Sequence, residues 1–268
     1  MANTGKIYAG IGGWTFEPWR GTFYPPGLPH ARELEYAATH LSAIEINGTY
    51  YRLQKPESFA AWAKTAPDGF VFAVKASRVC TNRRVLAEAG EAVAKFLGQG
   101  IAELGEKLGP ILWQFMPTKA YNPDDFDAFL NLLPEKLNGL SLRHAVEVRH
   151  ESFLTPAFID SARKAGVAVV FADTTKYPQI ADVTGDFVYA RLQDAREDEP
   201  MGYGAEALDR WTSMAHQWAQ GKSPKGLEYV TDEPAKDRAR DVFVFMINGA
   251  KIRAPAAAQA LLERLGRP

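Results

Sequence analysis

The chain has 268 residues, 46% of them hydrophobic and 24% charged, and a formal net charge of -1. This composition excludes a disordered chain and gives no overall electrostatic pull toward nucleic acid or an anionic membrane. The length permits two domains, but α/β barrels reach this size as one, and no compositional break marks a linker, so a single domain over 1–268 is expected.

Cys80 is the one cysteine, which rules out an intrachain disulfide and points to a reducing compartment. The first residues lack the basic-then-apolar pattern of a signal peptide, and no run approaches the roughly 18 apolar residues of a membrane span. A cytoplasmic protein with no membrane partner is expected.

Residues 6–14 (KIYAGIGGW) read as a first strand whose Ala9, Gly10, Gly12 and Gly13 suit close backbone or ligand approach. The aromatic, proline-bearing loop 15–29 is either a plug over one end of the core or a functional loop. A short helix at 32–41 precedes a strand at 43–47 carrying Glu45 and Asn47, with 48–52 as its exit. Residues 56–66 predict a helix with Phe59, Trp62 and Ala63 on one face. The third strand, 70–77, carries Lys75 near its end, and 87–107 reads as one long helical segment.

Gly109 and Pro110 break that pattern before a fourth strand at 111–116, where Gln114 is the only polar residue. A helix over 124–133 follows Asn122 and Pro123, a capping residue before a first-turn proline. In the fifth strand, within 144–150 (HAVEVRH), period-two geometry puts Glu147 and Arg149 on one side. A charge in so apolar a strand must be paired or face a wet cavity. A helix opens at Thr155 and Pro156 and closes at Gly166. The sixth strand, 167–174, ends in Asp173, and the seventh, 187–193, in Arg191 and Gln193. A helix over 205–220 and a polar, irregular stretch over 222–241 lead to the eighth strand, 241–248. That strand ends in Asn248, and the last helix begins at Pro255.

Eight apolar strands thus alternate with helical segments, as in parallel sheets covered on both faces. A single (β/α)8 TIM barrel is the most economical architecture, with a doubly wound open sheet as runner-up. The Gly-x-Gly at Gly10 and Gly12 lacks the third glycine and immediate helix of a dinucleotide fingerprint. The polar residues come late in strand after strand, and in a TIM barrel the C-terminal strand ends form the ligand mouth. They form either a ligand site or a salt-bridged layer closing the barrel.

These residues resemble the YecE-like family, a TIM-barrel family of unassigned function. The likeness rests on Gly10 to Trp14 with Phe23-Tyr24-Pro25, Ile44 to Asn47 with Tyr50-Tyr51-Arg52, and Phe72 to Lys75. It continues in Lys107 to Pro110 with Gln114 and Pro117, Val146 to His150, Asp173, Arg191-Leu192 and Asn248. It implies the barrel and little about activity. This sequence departs from the family pattern at three places: Thr81-Asn82 replaces a Thr-His pair, Gln193-Asp194 follows Arg191-Leu192 in place of His-Gly, and Phe153 stands where tryptophan is usual. His150 is then the only histidine expected at the mouth.

The five histidines form no His-x-His or His-x-x-x-His pair, and no metal or other cofactor is assigned, although Glu45, Glu147 and Asp173 have the oxygen chemistry for a hard cation. No Gly-x-Ser-x-Gly elbow is present. Cys80, near Arg78, Arg83 and Arg84, is either an inert loop thiol or one with a lowered pKa. Lys75 has two readings, pairing with a carboxylate or anionic ligand, or forming an imine if desolvated. The leading expectation is an enzyme-type barrel, its reaction class unassigned, binding a small anionic or sugar-phosphate-like ligand. Glu147, Glu45, His150 and Asp173 are its acid–base candidates. Arg149, Arg191, Lys75, Asn47, Gln114, Gln193, Asn248, Trp14 and Tyr50 are its ligand contacts. The alternatives are a nucleic-acid or nucleotide-fragment binder using Arg78, Arg83, Arg84 and the aromatics, which the net charge does not favour, and a non-catalytic interaction barrel.

Overall fold

The computed structural model describes residues 4–233 and 236–266. Eight parallel strands form a barrel: β1 (Ile7–Gly12), β2 (Ala43–Ile46), β3 (Val71–Lys75), β4 (Leu108–Gln114), β5 (His144–Glu147), β6 (Ala168–Val169 and Phe171–Asp173), β7 (Phe187–Leu192) and β8 (Asp241–Met246). Each pairs with its sequence neighbours, and β1 pairs with β8. The ring closes through the two halves of β6, the first on β5 and the second on β7. At the break, Val170 N–H donates to Val146 O at 2.9 Å. Thr184 Oγ accepts from Val169 N–H at 2.9 Å and donates to Val167 O at 2.6 Å, so a side chain completes the ladder.

The strands are mostly apolar because both faces are buried. Alternate residues divide between two clusters, as a period of two requires. Tyr8, Ala43, Val71, Ala73, Leu112, Ala145, Tyr189, Phe243 and Phe245 fill the barrel interior. Their neighbours Ile7, Ile44, Phe72, Val74, Ile111, Trp113, Val188 and Val244 pack outward against the helices. Extended along each strand, the inward parity takes in Glu45 and Asn47, Lys75, Gln114, Glu147 and Arg149, and Arg191 and Gln193. The polar residues that come late are therefore mostly the last inward positions of their strands.

The outer layer is α1 (Glu33–His40), α2 (Gly48–Tyr51), α3 (Pro56–Thr65), α4 (Arg78–Thr81), α5 (Gly90–Leu97), α6 (Pro123–Leu130), α7 (Pro156–Ala165), α8 (Ala205–Ala219) and α9 (Ala254–Arg264). Four of the longer helices carry proline in the first turn, and Asn122 caps α6 by accepting from Asp125 N–H at 3.0 Å.

Three expectations need correction. The segment 87–107 is not one helix: a 3₁₀ turn precedes α5, and another over Ile101–Lys107 follows it. The break falls at Gly100, whose φ of 108° is closed to other residues and whose α-carbon faces Pro56. Residues 48–51, read as a strand exit, form the helical turn α2. Strand and helix do not alternate to the end either, because no helix separates β6 from β7. Pro178 and Gly185 disfavour one there, and the irregular stretch after α8 covers the gap instead. Asp182 accepts from Val230 N–H at 2.7 Å and Thr231 N–H at 3.1 Å, and Ala181 N–H donates to Glu228 O. Among the described residues, no helix is long and apolar enough to cross a membrane.

Candidate functional site

The C-terminal strand ends converge on a buried ion network. Arg191, from β7, points into the barrel with 2% of its surface exposed. Its Nε and Nη2 grip both oxygens of Glu45, from β2, at 3.1 and 3.0 Å. Its Nη1 bonds Glu147 Oε2, from β5. Further donors converge on the same two carboxylates. Tyr189 OH donates to Glu45 Oε2 at 2.7 Å, Gln114 Nε2 to Glu147 Oε2 at 3.0 Å, and Arg149 Nε to Glu147 Oε1 at 2.8 Å. Gln114 reaches its partner because the β4–β5 register sets the two side by side.

Burial alone would raise the pKa of Glu147, but the charges of Arg191 and Arg149, with hydrogen bonds from Gln114 and Arg149, hold it down at about 2. Arg191 is held protonated by Glu147 and Glu45 against its own burial. Every carboxylate oxygen of this floor has at least one donor.

Above it lies a cavity of about 360 Å³, whose wall includes Asn47, Lys75, Gln114, Arg149, Arg191, Asn248 and Lys251. Four of its lining side chains are cationic and none is a carboxylate. Lys75 is 9% exposed, and among the described residues its ammonium has no carboxylate within ion-pair distance. It sits over the Tyr50 ring, 4.3 Å from the centroid. Burial and the neighbouring Arg191 charge lower its pKa to about 8, against the pull of Glu45 and Glu147. The expectation that Lys75 pairs with a carboxylate therefore fails: the arginines occupy both nearby glutamates. Lys251 Nζ lies over Phe16, 4.4 Å from the ring centroid, and its backbone oxygen accepts from Trp19 Nε1 at 2.9 Å.

The structure does not bring all the expected site residues to this cavity. Asp173 and His150 have the outward parity of their strands. His150 instead takes Ser152 N–H and lies 2.9 Å from Ser152 Oγ. Burial and the neighbouring Asp194 push the Asp173 carboxyl up to about 6, against Arg210. Trp14 packs edge-on against Trp62, and Tyr50 serves as the platform under Lys75. Gln193 accepts from Asn248 Nδ2 at 3.2 Å, and its own buried Nε2 has no partner among the described residues. Asn82 likewise leaves its buried Oδ1 without a partner among the described residues.

Three residues joined to the site were absent from the sequence reading. Tyr189 was legible, two positions before Arg191 and so on the same face. Lys251, and Tyr177 beneath the Arg149 guanidinium at 4.5 Å, come from irregular segments with no periodic signal. Cys80 is buried, and burial pushes its thiol up to about 12 although Arg83 opposes the shift, so it is not an activated nucleophile. Among the described residues, no group of three histidine, cysteine, aspartate or glutamate side chains is placed to hold a metal.

The β8–α9 turn positions Lys251. Asn248 and Gly249 both have positive φ, and a Cβ on Gly249 would come within 2.5 Å of Ala195 O and 2.7 Å of Ala195 N. Neither backbone atom can move aside, so Gly249→Ala is expected to cost about 2 kcal/mol in urea unfolding and to displace Lys251. Asn248→Gly keeps the turn and should stay within about 1 kcal/mol of the wild type, since it loses one neutral hydrogen bond.

Two other concavities lack this one-sided charge. At the opposite end of the barrel, a cavity of about 670 Å³ has Arg143, Arg163 and Arg240 in its wall, but also Glu135, Asp186 and Glu233. In the groove beside Arg84, Arg83 is engaged by Val79 O and Glu88 O, and Lys119 by Asp125.

A family model described as "Protein of unknown function DUF72" matches residues 8–268. The chain belongs to the DUF72 family. It is 29% identical over 150 residues to the UPF0759 protein YecE of Escherichia coli (strain K12), a match covering 55% of this chain and 50% of YecE. The chain thus spans about half the length of the curated relatives it matches. Among solved structures, it resembles a DUF72 family protein from Thermotoga maritima MSB8, with a TM-score of 0.75 and 22% identity over 98% of this chain and all of that one. A second, from Enterococcus faecalis V583, has a TM-score of 0.70 at 16% identity, over 99% of this chain and all of that one. At these identities the likeness speaks for the shared barrel. The chemistry has to be argued from the DUF72 side chains themselves.

Proposed function

We propose that the barrel mouth binds a small, polar, anionic ligand such as a phosphorylated metabolite, with Lys75, Arg149 and Lys251 as its charged contacts. The observation that carries this reading is the cavity wall, which presents four cations and no carboxylate. Arg191 is neutralised from below by Glu45 and Glu147, and Arg149 is partly so, whereas Lys75 and Lys251 have no carboxylate within ion-pair distance among the described residues. Burying an unpaired ammonium is costly, and an anion entering the cavity relieves that cost.

The glutamates have a different part from the one expected of them. With both oxygens engaged and its pKa near 2, Glu147 stays ionised at neutral pH and is poorly suited to general acid work. Together with Glu45 it orients Arg191. Lys75, which faces the cavity with its pKa lowered to about 8, is the better placed group for proton exchange with a ligand.

Titration calorimetry with inorganic phosphate and a sugar phosphate tests the reading. Lys75→Met should weaken binding roughly 10- to 100-fold, as expected for loss of a charge-assisted hydrogen bond, and Lys251→Ala less. Unchanged affinity in Lys75→Met, or no phosphate binding by the wild type, removes the proposal.

A further inference from the structure

We propose that Lys75 is a carbonyl-trapping amine, forming an imine with a short aldehyde or ketone whose phosphate or carboxylate is held in the mouth by Arg149 and Lys251. This deepens, and rests on, the anion-binding reading of the same cavity. The residue is the last of β3, buried yet part of the cavity wall, so its amine can meet a bound ligand in a largely water-free setting. A lysine kept for structure alone would normally be paired. Here all four oxygens of the two inner carboxylates are engaged by Arg191, Arg149, Gln114 and Tyr189, and the ammonium lies against one aromatic face with no carboxylate within ion-pair distance among the described residues.

Burial, and then the guanidiniums of Arg191 and Arg149, disfavour its protonation against the pull of Glu45 and Glu147, and the pKa of about 8 leaves a substantial neutral fraction at pH 8. Only that neutral form is nucleophilic. The Tyr50 ring supports one side of the ammonium and fixes its position relative to the cavity.

The chemistry balances without an oxidant or reductant. The Nζ lone pair attacks the carbonyl carbon, and the C=O π pair moves to oxygen. A proton passes from nitrogen to oxygen to give the carbinolamine, and loss of one water leaves the C=N bond. Protonation of that nitrogen makes an electron sink for bond cleavage or proton loss at the adjacent carbon. The cavity, about 360 Å³, accommodates a chain of a few carbons with one phosphate.

The test treats the full chain with glyceraldehyde 3-phosphate, then with borohydride, and locates the reduced adduct by peptide mass spectrometry. Neutral glyceraldehyde is the control aldehyde and inorganic phosphate the competitor. A single dominant adduct at Lys75 is expected, at least tenfold above any other lysine. Omitting the phosphate group or adding free phosphate should reduce it, and Lys75→Arg, which keeps the charge, should abolish it. Lys75→Met serves as a second variant if Lys75→Arg does not fold, each checked by circular dichroism. Label spread over the exposed lysines, with phosphate still binding, overturns the imine and leaves the anion site standing. Labelling at Lys75 that ignores both the phosphate group and free phosphate overturns the anion site.

Discussion

Arg191→Met is expected to destabilise the protein by about 3–5 kcal/mol at pH 7, because it leaves Glu45 and Glu147 buried together without their shared cation. The pH dependence identifies the cause. In the wild type Glu147 has a folded pKa of about 2 against 4.5 for the ordinary group, so its stabilisation is complete above the unfolded value. It is on the order of 3 kcal/mol and is lost as pH falls from about 4.5 toward 2. In Arg191→Met the sign reverses, since two buried carboxylates are then left with Arg149, on Glu147, as their one ion-pair partner among the described residues, and stability should recover on acidification. Urea midpoints at pH 7, 5 and 4 read both slopes. Parallel curves would mean that the variant loses packing volume and little else. Arg191→Lys should fall well short of rescue, because an ammonium cannot hold both Glu45 oxygens and reach Glu147 with one planar fork.

The barrel was legible because each strand is an apolar run long enough to be buried on both faces, and because capping and first-turn proline signals mark the helices between them. The failures are equally physical. The 87–107 segment keeps helical spacing across Gly98 and Gly100, so periodicity alone joins two short pieces that Gly100 separates. Between β6 and β7 the covering element comes from far along the chain, through Asp182 and Thr231, and no local pattern records that.

The site was half legible. Lateness in a strand found the mouth end, but parity decides which late residues meet. Glu45, Lys75, Gln114, Glu147 and Arg191 continue the inward alternation of Ala43, Ala73, Leu112, Ala145 and Tyr189. Asp173 and His150 fall one residue out of step. The same count would have found Tyr189. It would not have found Lys251, whose position depends on two left-handed residues in a turn. Nor does any pattern in the chain foretell that Lys75 has no carboxylate within ion-pair distance among the described residues, because that follows from how many donors converge on Glu45 and Glu147.

Lys75→Met is expected to fold more stably than the wild type, and this separates a residue kept for binding from one kept for structure. In the wild type the folded pKa of about 8 lies below the 10.5 of the ordinary group. Below pH 8 both the folded and unfolded chains carry the proton, and the folded state bears the full cost of a buried charge. Between 8 and 10.5 the folded state releases its proton first, so wild-type stability rises with pH through that window. Methionine has similar length, no charge and a favourable contact for the Tyr50 ring. The variant should therefore exceed the wild type by on the order of 2 kcal/mol at pH 7, roughly 4 °C or more in Tm. The advantage should shrink toward zero by pH 10.5. Saturating phosphate should narrow the gap at pH 7 from the other side, because it stabilises only the chain that still binds it. A variant less stable than the wild type at pH 7 would make Lys75 a structural residue, and the mouth would lose the group on which its chemistry depends.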